Sequence, residues 1–129
     1  MTSGTGETEA RRRAEQSGHN AEWAASLLLR LKGFRILARR WKGPAGEIDL
    51  VARRGRLLVF VEVRRRPTIE EAAFSIGPDK RRRLERAAGA FLVARPALAD
   101  LDMRFDAILV APGRLPVHLA DAFAASGRY

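Results

Sequence analysis

The segment GEIDLVARRGRLLVFVEVRRR, residues 46–66, constrains this chain more than any other. Two runs rich in Ile, Leu, Val and Phe flank the glycine-containing tetrad Arg53-Arg54-Gly55-Arg56, which predicts an antiparallel hairpin. Alternation places Ile48, Leu50 and Ala52 on one face of the first strand and Glu47, Asp49 and Val51 on the other. In the second strand Leu57, Val59, Val61 and Val63 share a face, opposite Leu58, Phe60, Glu62 and Arg64. A turn centred on Arg54-Gly55 makes Arg53 face Arg56, sets Phe60 opposite Asp49 and sets Glu62 opposite Glu47. Asp49 and Glu62 then become diagonal neighbours on one face, ~7–8 Å apart by Cα.

The flanking sequence predicts what packs on these strands. From about Ser17 to Lys32 the helical period gathers Ala21, Ala24, Ala25, Leu27, Leu28, Leu29 and Leu31 into one broad arc, with Glu22 at its border. Gly33 is the stop. FRILARRW, 34–41, alternates Phe34, Ile36 and Ala38 with basic residues and reads as a strand, closed by a KGPAG turn. After a loop, residues 77–94 form a second helix with Pro78 in its first turn and Leu84, Ala87, Ala88, Phe91 and Leu92 along its apolar stripe. MRFDAILVA, 103–111, is a further apolar strand, and the C-terminal PVHLADAFAASGRY is read as a short helix or a drape over the sheet. The expectation is a single α/β domain over residues 17–129, a three-layer fold with helices flanking a mixed central sheet, preceded by a flexible basic tail over residues 1–16.

Charge narrows the function. The chain carries 24 Lys plus Arg against 15 acids, a net +9. Between Arg30 and Arg86 there are 17 basic and 7 acidic residues, a net +10, so the excess is concentrated in the central segment. A concentrated positive field suits a phosphate backbone. Cysteine is absent, which excludes disulfides and thiolate metal sites. No apolar run approaches the ~20 residues needed to span a bilayer, and no secretory h-region precedes the domain. A cytoplasmic protein without membrane attachment is expected.

Two carboxylates converging on a sheet face repel one another unless a cation stands between them. Mg²⁺ takes one or two protein carboxylates and completes its shell with waters and phosphate oxygens. Such an ion activates water and neutralises charge developing on a phosphodiester. Arg64, two residues after Glu62, projects from the same face as a fixed cation. Acid, acid and cation at strand spacing are the outline of metal-dependent phosphodiester hydrolysis.

With these residues in place, GEIDLVA followed by VFVEVR resembles the bacterial YraN-like family, which is related to Holliday-junction resolvases and to the wider PD-(D/E)xK, restriction-endonuclease-like superfamily. The resemblance runs from AEWAASLLLRLKGFRILARRW through SIGPDKRRRLERAAGAFL to RFDAILV. It implies a restriction-endonuclease-like fold and a Mg²⁺- or Mn²⁺-dependent endodeoxyribonuclease acting on branched or otherwise structured DNA, with a homodimer as the assembly that symmetric junctions favour. Residue by residue, it implies Asp49 and Glu62 as metal ligands, Glu22 as the first-helix acid assisting them, and Arg64 in the position of the superfamily lysine. An arginine cannot lose its proton, so Arg64 serves as a charge and donor only.

Each of these residues also has a plainer reading. Asp49 and Glu62 could be solvated edge-strand acids, and Glu22 a surface ion-pair partner. Arg64, Arg65, Arg66, Lys80, Arg81, Arg82 and Arg83 are read as nucleic-acid contacts or as a solvated basic face. Asp106 is read as structural, His19 and His118 receive no role, and Trp23 and Trp41 are read as packing residues. Two further functions stay open: a nucleic-acid-binding module that keeps the fold without turnover, and a subunit whose basic face meets an acidic protein.

Overall fold

The computed structural model describes residue 9 and residues 20–122. Most of the tail read over residues 1–16, His19 and the last seven residues lie outside that range. A helix, α1, covers residues 20–31. Strands β1 (Arg35–Gly43), β2 (Gly46–Arg54) and β3 (Leu57–Arg65) follow, then helices α2 (Ile69–Phe74) and α3 (Pro78–Ala94), a 3₁₀ turn at Pro96–Leu98, and strands β4 (Asp102–Val110) and β5 (Val117–Leu119). The five strands form one sheet in the order β1-β2-β3-β4-β5. Among the described strands only the β3–β4 pair is parallel, because α2 and α3 provide the crossover that a parallel connection requires. The expected mixed sheet is therefore present.

The sheet is covered on both faces. On one, Ala25 and Leu29 of α1 pack with Phe34 against Leu50, Ala52, Val59, Val61 and Ile108. On the other, Leu84, Ala87, Ala88 and Phe91 of α3 pack against Val51, Leu58, Phe60 and Ala107. Alternating strand residues feed the two cores, which is the three-layer α/β arrangement. Trp41 is a packing residue, edge-on to Phe91 at 5.3 Å. Its ring lies across Gly43, where an added Cβ would approach it to 2.3 Å, so position 43 has room only for glycine.

Helix α1 ends as the sequence indicates. Gly33 takes φ +92°, and Phe34 N–H and Gly33 N–H close on the Leu29 and Arg30 carbonyls in a Schellman arrangement. Arg54 Nη1 donates to the Lys32 carbonyl at 3.0 Å while its guanidinium lies 4.4 Å from the Phe34 ring centroid. The predicted apolar arc of α1 is too wide, however. Ala21, Ala25 and Leu29 are buried, whereas Trp23, Leu27 and Leu31 form an exposed stripe at i, i+4, i+8 spacing. The helix turns one side of the arc to the sheet and leaves the other in solvent, so Trp23 is not a packing residue.

Three further readings are corrected. The hairpin turn is Gly55-Arg56, with Arg54 paired to Leu57, two places from the predicted register. Gly55, at φ +60°, occupies the first central position, where a two-residue turn demands left-handed backbone, and that fixes the pairing. Ile48 also leaves the face of Leu50 and Ala52 and joins Val51 in the core beneath α3. The pleat is broken there: Arg40, between the pairs Arg39–Leu50 and Trp41–Ile48, has φ +49°. Finally, residues 117–119, read as part of a short helix or a drape, form strand β5, while residues 123–129 of that segment lie outside the described range.

The loop expected before α3 contains α2, whose start is marked by Thr68 Oγ1 accepting from Glu71 N–H at 3.1 Å. The T-x-x-E spacing of Thr68 and Glu71 is the sequence signal for that cap.

Candidate active site

The β2–β3 ladder runs from Arg54–Leu57 to Leu50–Val61 and stops. The next pair in that register is Asp49 and Glu62, and there the strands part company. β2 continues against β1 through Gly43–Gly46, while β3 continues against β4 through Arg65–Val110. Val63 N–H, left without a carbonyl on β2, donates instead to Asp49 Oδ2 at 2.8 Å. The two acids are thus brought face to face at the mouth of a splay, closer than the diagonal arrangement that the sequence predicted.

The splay opens a cleft of about 400 Å³ lined by Glu47, Asp49, Glu62 and Arg64 from the sheet and by Lys80 and Arg83 from α3. Burial pushes the Asp49 carboxyl up to about 6, the Glu62 charge adds to the rise, and the Val63 hydrogen bond offsets part of it. The Glu22 charge on α1 raises it further, so the helix acid lies within electrostatic reach of the cleft. Glu22 itself accepts from Arg40 Nε at 2.7 Å. Arg64 ion-pairs with Glu62 at 2.5 Å, and both side chains are largely covered. The Arg64 Nε is nevertheless buried with no hydrogen-bond partner. Lys80 is held below the usual lysine range by burial and by the cations Arg64 and Arg83.

The donor set fits a hard divalent ion. Two facing carboxylates, one with its pKa raised by burial and by its neighbour's charge, gain from a cation placed between them. Among the described residues no cluster of three or more His, Cys, Asp or Glu is arranged to hold a metal. Two carboxylates with space for water and phosphate oxygens are the pattern Mg²⁺ accepts. The cationic wall of α3, Lys80 and Arg83, supplies what an anionic ligand needs on the opposite side.

The basic residues separate on inspection. Arg65 is exposed, and Arg66 is half-buried with Nη1 on the Arg65 carbonyl. Of the Arg81–Arg83 run, only Arg83 faces the cleft. Arg81 is 7% exposed with Nε and Nη1 unsatisfied, and Arg82 is turned out and paired with Asp79 at 2.5 Å. The helical period explains this: three consecutive residues on a helix point in three directions, so the run cannot act as one binding face.

Lys80 lines the cleft, a role that the sequence left behind its reading as a surface lysine. Its position one turn before buried Leu84 on the same helix face is the signal that identifies it.

Asp106 is a different kind of acid. Fully buried on the α1 face of the sheet, it accepts from Arg104 Nε and Nη2 and from Asp121 N–H. His118 Nε2 meets it at 2.8 Å while Lys32 Nζ lies 2.8 Å from His118 Nδ1. An ammonium only donates, so Nδ1 accepts and Nε2–H donates to the carboxylate. Burial opposes ionisation, yet the hydrogen bonds from Arg104, His118 and Asp121 prevail and bring Asp106 down to about 2. Asp106 is held in a network of structural contacts, and His118, which the sequence left without a role, ties β5 to β4 and to Lys32 in the turn after α1.

Comparison with known proteins covers most of the described chain. The model of Uncharacterised protein family UPF0102 matches residues 21–110. A UPF0102 protein of Parvibaculum lavamentivorans is 56% identical over 110 residues, covering 85% of this chain and 83% of the relative. A relative from Chelativorans sp. is 48% identical over 116 residues, covering 90% and 94% respectively. One from Paramagnetospirillum magneticum is 52% identical over 120 residues, covering 90% and 93%. The matched range takes in α1, the splayed strands, α3 and β4, and the chain belongs to the UPF0102, or YraN, family.

Proposed function

We propose that this protein is a Mg²⁺- or Mn²⁺-dependent endonuclease that hydrolyses phosphodiester bonds in DNA. The observation that carries the reading is the meeting of Asp49 and Glu62 at the β2–β3 splay, in a cleft whose far wall is Lys80 and Arg83. Asp49 and Glu62 would hold a divalent ion, which would supply charge neutralisation at phosphorus and activation of water. Asp49 is positioned by the Val63 N–H, which holds one oxygen and leaves the other for the ion. Arg64, paired with Glu62, contributes a permanent positive charge beside the phosphate. Lys80 and Arg83 bind the flanking phosphates from α3. Glu22 pairs with Arg40 and adds negative potential at the cleft, which favours cation entry.

The test is cleavage of linear, flapped and four-way branched DNA with Mg²⁺ or Mn²⁺ by the wild type, Asp49→Asn and Glu62→Gln. Ion-dependent cutting by the wild type with a loss of ~10²-fold or more in both variants is expected. Equal cutting by wild type and variants, or cutting in excess chelator, would overturn it. A second reading, a DNA-binding module without turnover, is favoured by one observation: Arg64 stands where the superfamily has lysine and is paired to Glu62. Salt-dependent DNA binding by a wild type that cuts none of the substrates would select that reading.

A further inference from the structure

A second recess lies beside the cleft, formed where α1 meets the outer strand β1. About 360 Å³ in volume, it is lined by Asn20, Glu22, Trp23, Arg39 and Arg40. Trp23 is 62% exposed, a large apolar ring that the fold leaves in solvent. Both arginines are exposed. Arg40 on β1 and Asp49 on β2 both lie between the pairs Arg39–Leu50 and Trp41–Ile48, so the recess and the cleft share one strand pair. Arg39 also lines a neighbouring groove of about 650 Å³ along the free edge of β1, together with Arg30 and Arg35. An aromatic face flanked by arginines, continuous with a basic track, is the chemistry that holds a single nucleic-acid strand: bases stack on the ring and phosphates meet the guanidiniums.

We propose that Trp23 stacks an unpaired nucleobase of the DNA substrate, with Arg39 on the adjoining phosphate and Arg40 beside it held by Glu22, so that the protein selects DNA carrying a single-stranded arm. This rests on the nuclease reading and names its substrate class. A paired base inside a duplex cannot present its face to the ring, so the contact discriminates against blunt duplex. The arginines argue for a polyanion over the other occupant of such a surface, a second copy of this chain, whose own net charge is also positive.

The experiment measures binding in chelator at one low salt concentration, using end-labelled single-stranded, forked and blunt duplex oligonucleotides of one sequence. Trp23→Ala should weaken single-stranded and forked DNA roughly tenfold and leave duplex unchanged, and Trp23→Phe should retain most of the affinity. Tryptophan emission should fall when wild type binds the single strand and stay constant in Trp23→Phe, whose remaining Trp41 packs against Phe91. Undiminished single-strand binding by Trp23→Ala, or an equal loss on duplex, overturns the proposal. A wild-type dimer that Trp23→Ala splits assigns the Trp23–Leu27–Leu31 stripe to a second copy and also overturns it. Because binding is read without metal, a Trp23 effect without cleavage sinks only the nuclease reading, and cleavage without a Trp23 effect sinks only this proposal.

Discussion

Asp49 and Asp106 stand on neighbouring parts of one sheet, and the protein treats them in opposite ways. Asp106 is fully buried and receives Arg104, His118 and a backbone N–H, which together hold it ionised. Asp49 receives one backbone N–H and faces Glu62, and its pKa climbs to about 6. The strand partners provide the contrast. Where β3, β4 and β5 stay in register, buried charge is matched by charge and donors. Where β2 and β3 splay, Glu62 is paired with Arg64, and Asp49 is left with one backbone N–H. That under-compensated acid is the feature on which the proposed ion site rests.

The largest effect should come from attacking the satisfied side. Asp106→Ala removes the acceptor of Arg104 and His118 and should destabilise the fold by about 3–5 kcal/mol, the range for leaving a buried partner uncompensated. Urea denaturation at pH 7 reads it. A loss below about 1 kcal/mol would make the Asp106 cluster as dispensable as a surface ion pair, and the contrast would collapse.

Arg64 comes next. Arg64→Ala should lower DNA cleavage by ~10²-fold, the usual cost of a preorganised electrostatic contact, while Arg64→Lys keeps substantial activity. DNA affinity, measured at the same salt, should change far less because Lys80 and Arg83 remain. Cleavage by Arg64→Ala at the wild-type rate would reduce Arg64 to a counter-ion for Glu62.

The smallest effect sharpens the comparison by pH. Asp49 titrates near 6 in the folded state, above its ordinary 3.8, so the charged form is the disfavoured one. Its contribution to stability is complete below about 3.8 and is lost as pH rises through about 6. In chelator, Asp49→Asn should therefore be more stable than wild type at pH 8, by up to about 2 kcal/mol, with the gap closing toward pH 4. Asp106 has the reverse sign: its stabilisation is present above about 3.8 and lost as pH falls through about 2. Thermal melts of both proteins from pH 4 to 8 read the difference. A destabilised Asp49→Asn at pH 8 would mean that Asp49 is a structural acid like Asp106.

Local chemistry was legible in the chain itself. Strands that need one face for a core and another for a site declare it by alternation, and Leu58, Phe60, Glu62 and Arg64 do share a side. Gly33 stops α1 and Pro78 opens α3 because both act through their own backbone torsions. The acids, the cation and the family resemblance could be read from residues 46–66 because each depends on near neighbours. Register could not: Gly55 at the first rather than the second turn position moves every pair across the hairpin, and both choices satisfy the same sequence rules.

The rest was decided in three dimensions. Nothing in residues 46–66 states that β2 will follow β1 and β3 will follow β4, yet that divergence makes the cleft and hands Val63 N–H to Asp49. Lys80 joins the site only because α3 crosses beneath the splay, and Trp23 is exposed only because α1 commits Ala21, Ala25 and Leu29 to the sheet. His118, 12 residues from Asp106 and 86 from Lys32, acquires its partners through chain crossing alone. A sequence specifies what each residue can offer, since propensity, periodicity and charge are local properties. Which offers meet depends on the packing of elements distant along the chain, and that is where this molecule decides which carboxylate is satisfied and which is left open.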